Sequence, residues 1–95
     1  MAENDKHRAR IFLHRGDLVQ ARAAWEAAVK DDRRTGTPRE LSNSLGNLGN
    51  TLALAGAFDE ADACYKEVLA IQRDERDPHA IAHTLVNLGN LYIGA

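Results

Sequence analysis

The sequence predicts an all-α protein, an α-solenoid of antiparallel helical hairpins, and two observations support this prediction. First, the segment Asn47-Leu48-Gly49-Asn50 returns forty residues later as Asn87-Leu88-Gly89-Asn90, and self-similarity at such a period indicates stacked structural repeats. The same offset relates Gly16 to Gly56, Ala21 to Ala61, Trp25 to Tyr65, Arg33 to Arg73, Pro38 to Pro78 and Leu45 to Leu85. Second, Ala and Leu carry most of the apolar content and recur at helical spacing, which favours packed helices over a β-sandwich.

Length, charge and cysteine content narrow the class of protein. The 95 residues are enough for a single domain, residues 1–95. A formal net charge of −2 gives no electrostatic basis for binding nucleic acid or an anionic membrane. The single cysteine, Cys64, cannot form an intramolecular disulfide and fits a reducing compartment. No apolar run approaches the length of a signal peptide or a membrane span. We therefore expect a soluble, cytoplasmic domain that takes no cofactor.

The first hairpin is predicted from two amphipathic segments around a glycine turn. Residues 3–15 form a helix candidate with Ala9 and Phe12 facing inward. Gly16 ends this helix, because glycine readily adopts the positive φ of a tight turn. Apolar residues then recur at helical spacing from residue 18 to about residue 30, which predicts the second helix. The charged residues 31–36 are expected to form a linker.

Helix-start signals at residue 37 open the second hairpin. Thr37 can cap the third helix, Pro38 occupies its first position, where a missing N–H costs nothing, and Glu40 completes a capping box. Apolar residues as far as Ala55 are expected to line the inner side of this helix before Gly56 ends it. Residues 58 to about 72 then form the predicted fourth helix.

A capping residue followed by proline recurs at Asp77 and Pro78 and opens a fifth helix. Its inner side is expected to carry Ile81, Leu85, Leu88 and Tyr92. The chain thus contains five helices in the order A-B-A-B-A, where A and B are the first and second helix of each hairpin. Short turns make the two helices of a hairpin antiparallel. The repeats span about residues 3–36, residues 37–76 and, as a half repeat, residues 77–95.

Gly49 and Gly89 lie in the middle of predicted helices, where glycine costs about 1 kcal/mol relative to alanine. We expect close helix contact to offset this cost, with Gly49 opposite Ala61 inside the second hairpin. Trp25 and Tyr65 are expected to fill the space between one hairpin and the next A helix. A small pair within each hairpin and a large residue between hairpins predicts a superhelical stack.

These residues resemble a known family, the tetratricopeptide repeat. The resemblance rests on Asn-Leu-Gly-Asn, on the Gly-Ala-Phe-Asp-Glu-Ala segment at residues 56–61 and on Tyr65, and it covers almost the whole chain. The period of forty residues exceeds the common repeat of about 34 and is similar to that of a longer-period adaptor subgroup. HEAT and armadillo arrays have a period of roughly 40, but they lack Leu-Gly-Asn followed by a turn glycine.

The resemblance implies a non-catalytic protein–protein interaction module whose A helices line a concave, peptide-binding face. Carried over by position, the groove-facing residues are Lys6, Arg10, Asn43, Asn47, Asn50, Leu54, His83, Val86, Asn87 and Asn90. An asparagine amide offers both a donor and an acceptor, so it can bind a peptide backbone of any sequence. Lys6 and Arg10 would favour an acidic ligand. The alternative, in which the asparagines are purely structural, stays open on the sequence alone.

Other chemistry has weaker support in the sequence. Only Lys6 and Asn47 match the pattern with which some members of the family clamp a C-terminal carboxylate. His79 and His83 share a helix face, but solvated histidines are a simpler interpretation than a metal site, because no acidic residue lies between them. Cys64 has no predicted partner for catalysis. We therefore predict neither enzyme activity nor a bound metal.

Three apolar residues, Leu91, Tyr92 and Ile93, end the last A helix. No B helix follows to cover them, and contiguous exposed apolar surface marks interfaces. Either the chain is a piece of a longer array, or a second copy covers that face. A structural role through a homodimer of this helix is therefore one alternative function, and a sensor fragment of a larger signalling protein is another. The partner expected under the main interpretation is a protein or peptide ligand, with no nucleic acid and no membrane.

Overall fold

Five α-helices make up the computed structural model, which describes residues 2–94. They are α1 (Ala2–His14), α2 (Leu18–Thr35), α3 (Pro38–Leu54), α4 (Phe58–Asp74) and α5 (Pro78–Gly94). Helices α1 and α2 pack as one hairpin, α3 and α4 as a second, and α2 and α4 join each hairpin to the next A helix. The predicted all-α stack in the order A-B-A-B-A is confirmed. No helix of the described range is long and apolar enough to cross a membrane.

The turns within the hairpins follow the glycine signal. Gly16 and Gly56 have φ values of 78° and 80°, the left-handed conformation that glycine adopts without strain. Gly56 N–H donates to the carbonyl of Ala53 at 3.1 Å and Ala57 N–H to that of Leu52 at 2.9 Å. This pair of bonds satisfies the last carbonyls of α3 in a Schellman motif.

The predicted capping box at the start of α3 is confirmed. The Thr37 hydroxyl accepts from the Glu40 N–H at 3.1 Å, and the Glu40 carboxylate accepts from the Thr37 N–H at 3.1 Å. Asp77 caps α5 through its carboxylate, which accepts from the Ala80 N–H at 3.2 Å. The two A helices that share the Asn-Leu-Gly-Asn segment therefore both begin with a side-chain cap.

The second helix is longer than the sequence predicts. It continues to Thr35 instead of ending near residue 30, so most of the expected charged linker is helical. The reason is that its charges have partners on other helices: Asp32 is buried and bound to Lys6 on α1, and Arg33 binds Glu67 on α4. Polar residues that contact neighbouring helices do not need a solvated loop.

The close neighbour of Gly49 is Tyr65, and the expectation that Gly49 pairs with Ala61 was wrong in this respect. A Cβ at Gly49 would lie 2.8 Å from Cε1 of Tyr65, a distance that no real contact sustains. Glycine is therefore required because the Tyr65 ring packs directly on the α3 backbone at this position. Tyr65 consequently fills space within its own hairpin.

The core runs through both hairpins and extends to the side of α5 that packs on α4. Its most buried large members include Trp25, Leu45, Leu52, Tyr65 and Val68. Two residues expected to face inward on α5 do not do so, because Leu85 is 48 % and Tyr92 is 60 % exposed. Their equivalents Leu45 and Leu52 are each 2 % exposed, since α4 covers α3 and no described helix covers the same side of α5. Ala55, expected to be the last inner residue of α3, is also exposed.

Candidate peptide-binding groove

A polar depression of about 300 Å³ lies where α1, α3 and α5 face one another. Helix α4 supplies its floor through Tyr65, Val68 and Gln72. The A helices supply the walls: Arg10, Ser42, Asn43, Gly46, Asn47, Asn50, His83, Thr84 and Asn87. None of these lining residues is acidic, so the depression offers amides and two basic side chains to a ligand.

A second, more apolar depression of about 400 Å³ adjoins the first. Asn50, Tyr65 and Asn87 line both, so the two form one continuous surface, which we name the concave groove. The remaining lining residues of the second depression are Ala53, Leu54, Phe58, Asn90 and Leu91. The concave groove is therefore polar and basic at one end and apolar at the other.

Hydrogen bonds inside the protein orient two of the groove asparagines. The Tyr65 hydroxyl donates to Oδ1 of Asn50 at 2.5 Å, and Nδ2 of Asn47 donates to the backbone carbonyl of Asn43 at 3.0 Å. Asn50 thus keeps its amide donors for a ligand, and Asn47 keeps its carbonyl acceptor. Burial raises the pKa of the Tyr65 hydroxyl, which keeps it protonated and able to donate to Asn50 at neutral pH.

At the equivalent position of the first repeat, Arg10 and Trp25 replace Asn50 and Tyr65. The guanidinium carbon of Arg10 lies 5.7 Å from the centre of the Trp25 ring, which is within the range of a cation–π contact. Trp25 is 1 % exposed, and its Nε1 has no hydrogen-bond partner among the described residues. The buried ring therefore acts as a fixed platform that holds Arg10 at the edge of the concave groove.

A comparison of the sequence with models of known protein families gives one family. The family model described as Tetratricopeptide repeat matches residues 1–74 and, in a second match, residues 40–95. The chain belongs to the tetratricopeptide repeat family. Members of this family generally mediate protein–protein interactions and are typically non-catalytic. A search of curated protein sequences finds no match to the chain.

Lys6 does not lie in the groove of this tetratricopeptide array, which corrects the expectation that it attracts an acidic ligand. It is 7 % exposed, and its ammonium binds Oδ2 of Asp32 at 3.3 Å. The same carboxylate oxygen accepts the hydroxyl of Ser44 at 2.6 Å. Lys6 therefore joins α1 to α2, and through Asp32 to α3, so a ligand would have to break a buried ion pair to reach it.

The other predicted groove residues divide by position. Leu54 is 67 % exposed and belongs to the apolar end, where Asn90 lies at the rim. His83 is exposed at the basic end. Val86 is 59 % exposed and lines neither depression, so its place in the groove stays a prediction. Sequence spacing puts it one helical turn from Asn90.

Sequence reasoning missed the contribution of α4. Tyr65, Val68 and Gln72 recur at helical spacing and share one face of α4, but the resemblance assigns the concave face to A helices alone. The Thr84 hydroxyl on α5 donates to Oε1 of Gln72 at 2.6 Å. This bond repeats, forty residues later in the chain, the one between Ser44 and Asp32, so the repeat offset could have revealed it.

Of the three residues predicted to mediate self-association, Leu91 is buried, at 5 % exposure, and cannot contact a second copy. Tyr92 and Ile93 are 60 % and 86 % exposed. The Tyr92 hydroxyl donates to Asp62 on α4 at 2.5 Å, so its ring lies along α4. The exposed apolar surface at the end of α5 is therefore smaller than the sequence predicts. Further exposed apolar surface lies earlier on the same helix, at Leu85.

Two other candidate groups are the histidine pair on α5 and Cys64 on α4. His79 and His83 are exposed, and the described residues contain no group of three side chains suited to hold a metal ion. Burial, followed by the nearby carboxylates of Glu67 and Glu60, raises the pKa of the Cys64 thiol. The thiol is therefore held in its protonated, weakly nucleophilic form at neutral pH.

Proposed function

We propose that this tetratricopeptide array binds an extended segment of a partner protein in the concave groove. The observation that supports the proposal best is the polar depression, where four asparagines face the same space as Arg10 and His83. Asparagine amides can pair with successive N–H and C=O groups of an extended backbone whatever its side chains are. The amides of the groove would therefore bind the peptide backbone, and its two ends would select among peptide side chains.

The two ends define the preferred peptide. Arg10 stands at the basic end and, with no acidic lining residue to neutralise it, favours a carboxylate. Leu54 and Phe58 at the other end offer apolar surface, which favours an aliphatic or aromatic side chain. The ligand is thus a segment with an acidic residue toward one end and an apolar residue toward the other. Because the groove is short, we expect micromolar affinity, about −8 kcal/mol.

Selection from a phage-displayed library of random linear peptides tests the proposal. Enriched peptides, measured by fluorescence anisotropy, should share an acidic and an apolar residue and bind in the micromolar range. The double variant Asn47→Ala/Asn87→Ala should bind them at least about tenfold more weakly. The matched control is Gln20→Ala, which removes an exposed amide on α2 outside the groove.

A charge reversal separates groove binding from adhesion to other surfaces. Arg10→Glu should lose the acidic peptides and, in a fresh selection, enrich basic ones. Circular dichroism must show unchanged helicity for each variant. Enriched peptides that bind the asparagine double variant and Gln20→Ala equally well would move the binding surface out of the concave groove.

A further inference from the structure

A further depression lies where α2 and α4 end and α3 begins, and we name it the inter-hairpin cleft. Its volume is about 370 Å³, which is within the range of small-ligand sites. The lining residues are Asp32, Arg33, Gly36, Thr37, Pro38, Leu41, Ile71, Asp74 and Glu75. Each of the three helices packs on the helix before it and the helix after it. The cleft is therefore enclosed by the packed array and does not lie at its open end.

The floor of the inter-hairpin cleft is apolar. Leu41 on α3 and Ile71 on α4 are half-buried and pack against the core, and both line the cleft. Pro38 adds a third apolar side chain. An aliphatic chain of a ligand that contacts these residues would leave water, which favours binding.

One wall of the cleft is rigid before any ligand arrives. A Cβ at Gly36 would lie 2.9 Å from Cα of Asp32, so the turn after α2 packs tightly on the backbone of that helix. The capping box with Glu40 fixes Thr37, and the ring of Pro38 restricts its own φ. Because this wall is already ordered, a ligand loses little binding energy in ordering it.

The rim of the cleft carries an unbalanced negative charge. Asp74 and Glu75 are exposed, and neither forms an ion pair or a side-chain hydrogen bond with another described residue. The other two ionisable lining residues are paired, because Arg33 binds both carboxylate oxygens of Glu67. Asp32 is buried in an ion pair of its own. The arginines on either side of the acidic pair in the chain do not line the cleft.

The position of the acidic pair opposes the local preference of the helix. Asp74 is the last residue of α4 and Glu75 is its C-cap, and negative charge is unfavourable there because a helix C-terminus is itself partly negative. At the offset of forty residues the pair corresponds to Arg34 and Thr35, so the repeat does not require the two carboxylates. Residues that oppose a local preference without a compensating contact in the fold are expected at functional sites.

We propose that the inter-hairpin cleft binds an arginine side chain of a partner protein. The aliphatic stem of the arginine lies on Leu41 and Ile71, and its guanidinium binds the carboxylates of Asp74 and Glu75. Arginine has both properties that the cleft selects, because its stem buries apolar surface while its planar head offers five N–H donors to carboxylates. None of the residues that line the cleft lines the concave groove, so this site does not depend on the groove.

A segment of a partner protein that lies in the concave groove can reach the cleft. A small depression of about 220 Å³ lies between the two surfaces. It shares Ser42, Asn43 and Gln72 with the groove. It also shares Glu75 with the cleft. This continuity favours an arginine within a protein segment over a free small cation.

Titration with N-acetyl-arginine amide tests the cleft in the absence of any partner protein. Methyl NMR spectra of the 95-residue chain should show saturable, millimolar binding with shifts at Leu41 and Ile71. Two probes at constant ionic strength are the matched controls. N-acetyl-citrulline amide has the same stem without the charge, and the guanidinium ion has the charge without the stem. Each should bind at least about tenfold more weakly.

Variants of the rim identify the site. Asp74→Asn/Glu75→Gln removes both charges at exposed positions and should weaken binding of N-acetyl-arginine amide at least about tenfold. The matched control is Asp59→Asn, at an exposed acid near the other end of α4, which should bind the probe as the native chain does. The groove variant Asn47→Ala/Asn87→Ala should also leave this affinity unchanged, so failure of the cleft is distinguishable from failure of the groove.

Peptide selection tests whether the arginine belongs to a partner protein. Peptides enriched on the native chain should contain arginine more often than peptides enriched on Asp74→Asn/Glu75→Gln. Any of three results would overturn the proposal. These are equal binding of the arginine and citrulline probes, unchanged binding of the arginine probe to the rim variant, and equal arginine content in the two selections.

Discussion

Helices α3 and α5 share a sequence signature and differ in their surroundings. Both begin with a capped proline turn and carry Asn-Leu-Gly-Asn. Helix α3 packs between α2 and α4, whereas α5 packs on α4. As a result Leu45 is 2 % exposed and its equivalent Leu85 is 48 % exposed. The comparison shows that local sequence determines where a repeat helix begins and ends. The neighbouring helices determine which of its apolar side chains are buried.

The junctions that attach these two helices differ in charge. Ser44 on α3 donates to Asp32, and Thr84 on α5 donates to Gln72, each at 2.6 Å. Only the first junction also contains Lys6, whose side chain is 9 % exposed beside an Asp32 side chain that is 2 % exposed. The first junction is therefore a buried ion pair with an added hydrogen bond, and the second is a neutral bond nearer the surface.

The largest expected effect comes from breaking the charged junction. Asp32→Ala removes the carboxylate that Lys6 and Ser44 bind in the interior, which should lower the free energy of unfolding by about 3 kcal/mol or more. Urea denaturation followed by circular dichroism measures the loss. Asp74→Ala, at an exposed acid in the last turn of α4, should cost less than about 0.5 kcal/mol. Similar losses from both variants would show that the junction is not buried in solution.

The second test compares equivalent leucines. Leu45→Ala should cost about 2–5 kcal/mol, because it opens a cavity in the core between α3 and α4. Leu85→Ala removes the same atoms from a half-exposed position and should cost less than about 1 kcal/mol. Thermal unfolding of both variants gives the difference. An equally large loss at Leu85 would mean that Leu85 is covered by a further helix or another chain under the conditions of the measurement.

The third test uses the two central glycines, where one substitution should have opposite signs. Gly49→Ala places a methyl group against the Tyr65 ring and should destabilise by about 1–3 kcal/mol. Gly89→Ala meets no atom within 4 Å and should stabilise the isolated chain by about 1 kcal/mol through helix propensity. Melting temperatures that move in the same direction would contradict the difference in packing between α3 and α5.

The smallest expected effect is a pH dependence at the contact of α5 with α4. The Tyr92 hydrogen bond, and then Lys66, holds the pKa of Asp62 below its ordinary value of 3.8. A folded-state pKa below the unfolded one means that the contribution is present above about pH 4 and is lost as the pH falls through the folded value.

Tyr92→Phe should therefore reduce the loss of stability below pH 4. The matched control is Tyr65→Phe, whose hydroxyl binds a neutral amide instead of a carboxylate. It should lower stability by a similar amount at all acidic pH values. Unfolding curves collected between pH 2 and 7, a range of roughly five units around the carboxylate pKa values, provide the measurement. Parallel profiles for the two variants would show that the Tyr92 hydroxyl does not lower the pKa of Asp62.

Much of the fold was predictable because its signals are local. The capping box needs only Thr37 and Glu40 three residues apart, and the turn at Gly56 needs only a residue that tolerates positive φ. The asparagines predicted for the groove on α3 and α5 share one periodic face, and they line the two depressions. Whether they bind a peptide stays a prediction, since sequence and geometry define the surface and not its occupant.

The errors come from contacts between helices. Lys6 looked like a ligand-binding cation because its partner, Asp32, lies far along the chain in a segment that reads as a solvated linker. Gly49 was expected to lie opposite another small residue, Ala61. A repeat pattern shows which positions hold small residues, but it does not show that the Tyr65 ring packs against Gly49. Leu85 was expected to be buried because its equivalent in the covered repeat is buried. In each case the sequence did not show which residue of a neighbouring helix lies against the position.

The contact between Arg10 and Trp25 also has a spectroscopic consequence. Trp25 is the only tryptophan in the chain, so all indole emission reports on one buried ring beneath one guanidinium at the groove edge. Removal of the cation by a bound carboxylate would change the local field at that ring, and the emission wavelength and intensity should respond. The chain thus carries an intrinsic optical reporter beside its concave groove, and unlabelled ligands can be titrated by fluorescence alone.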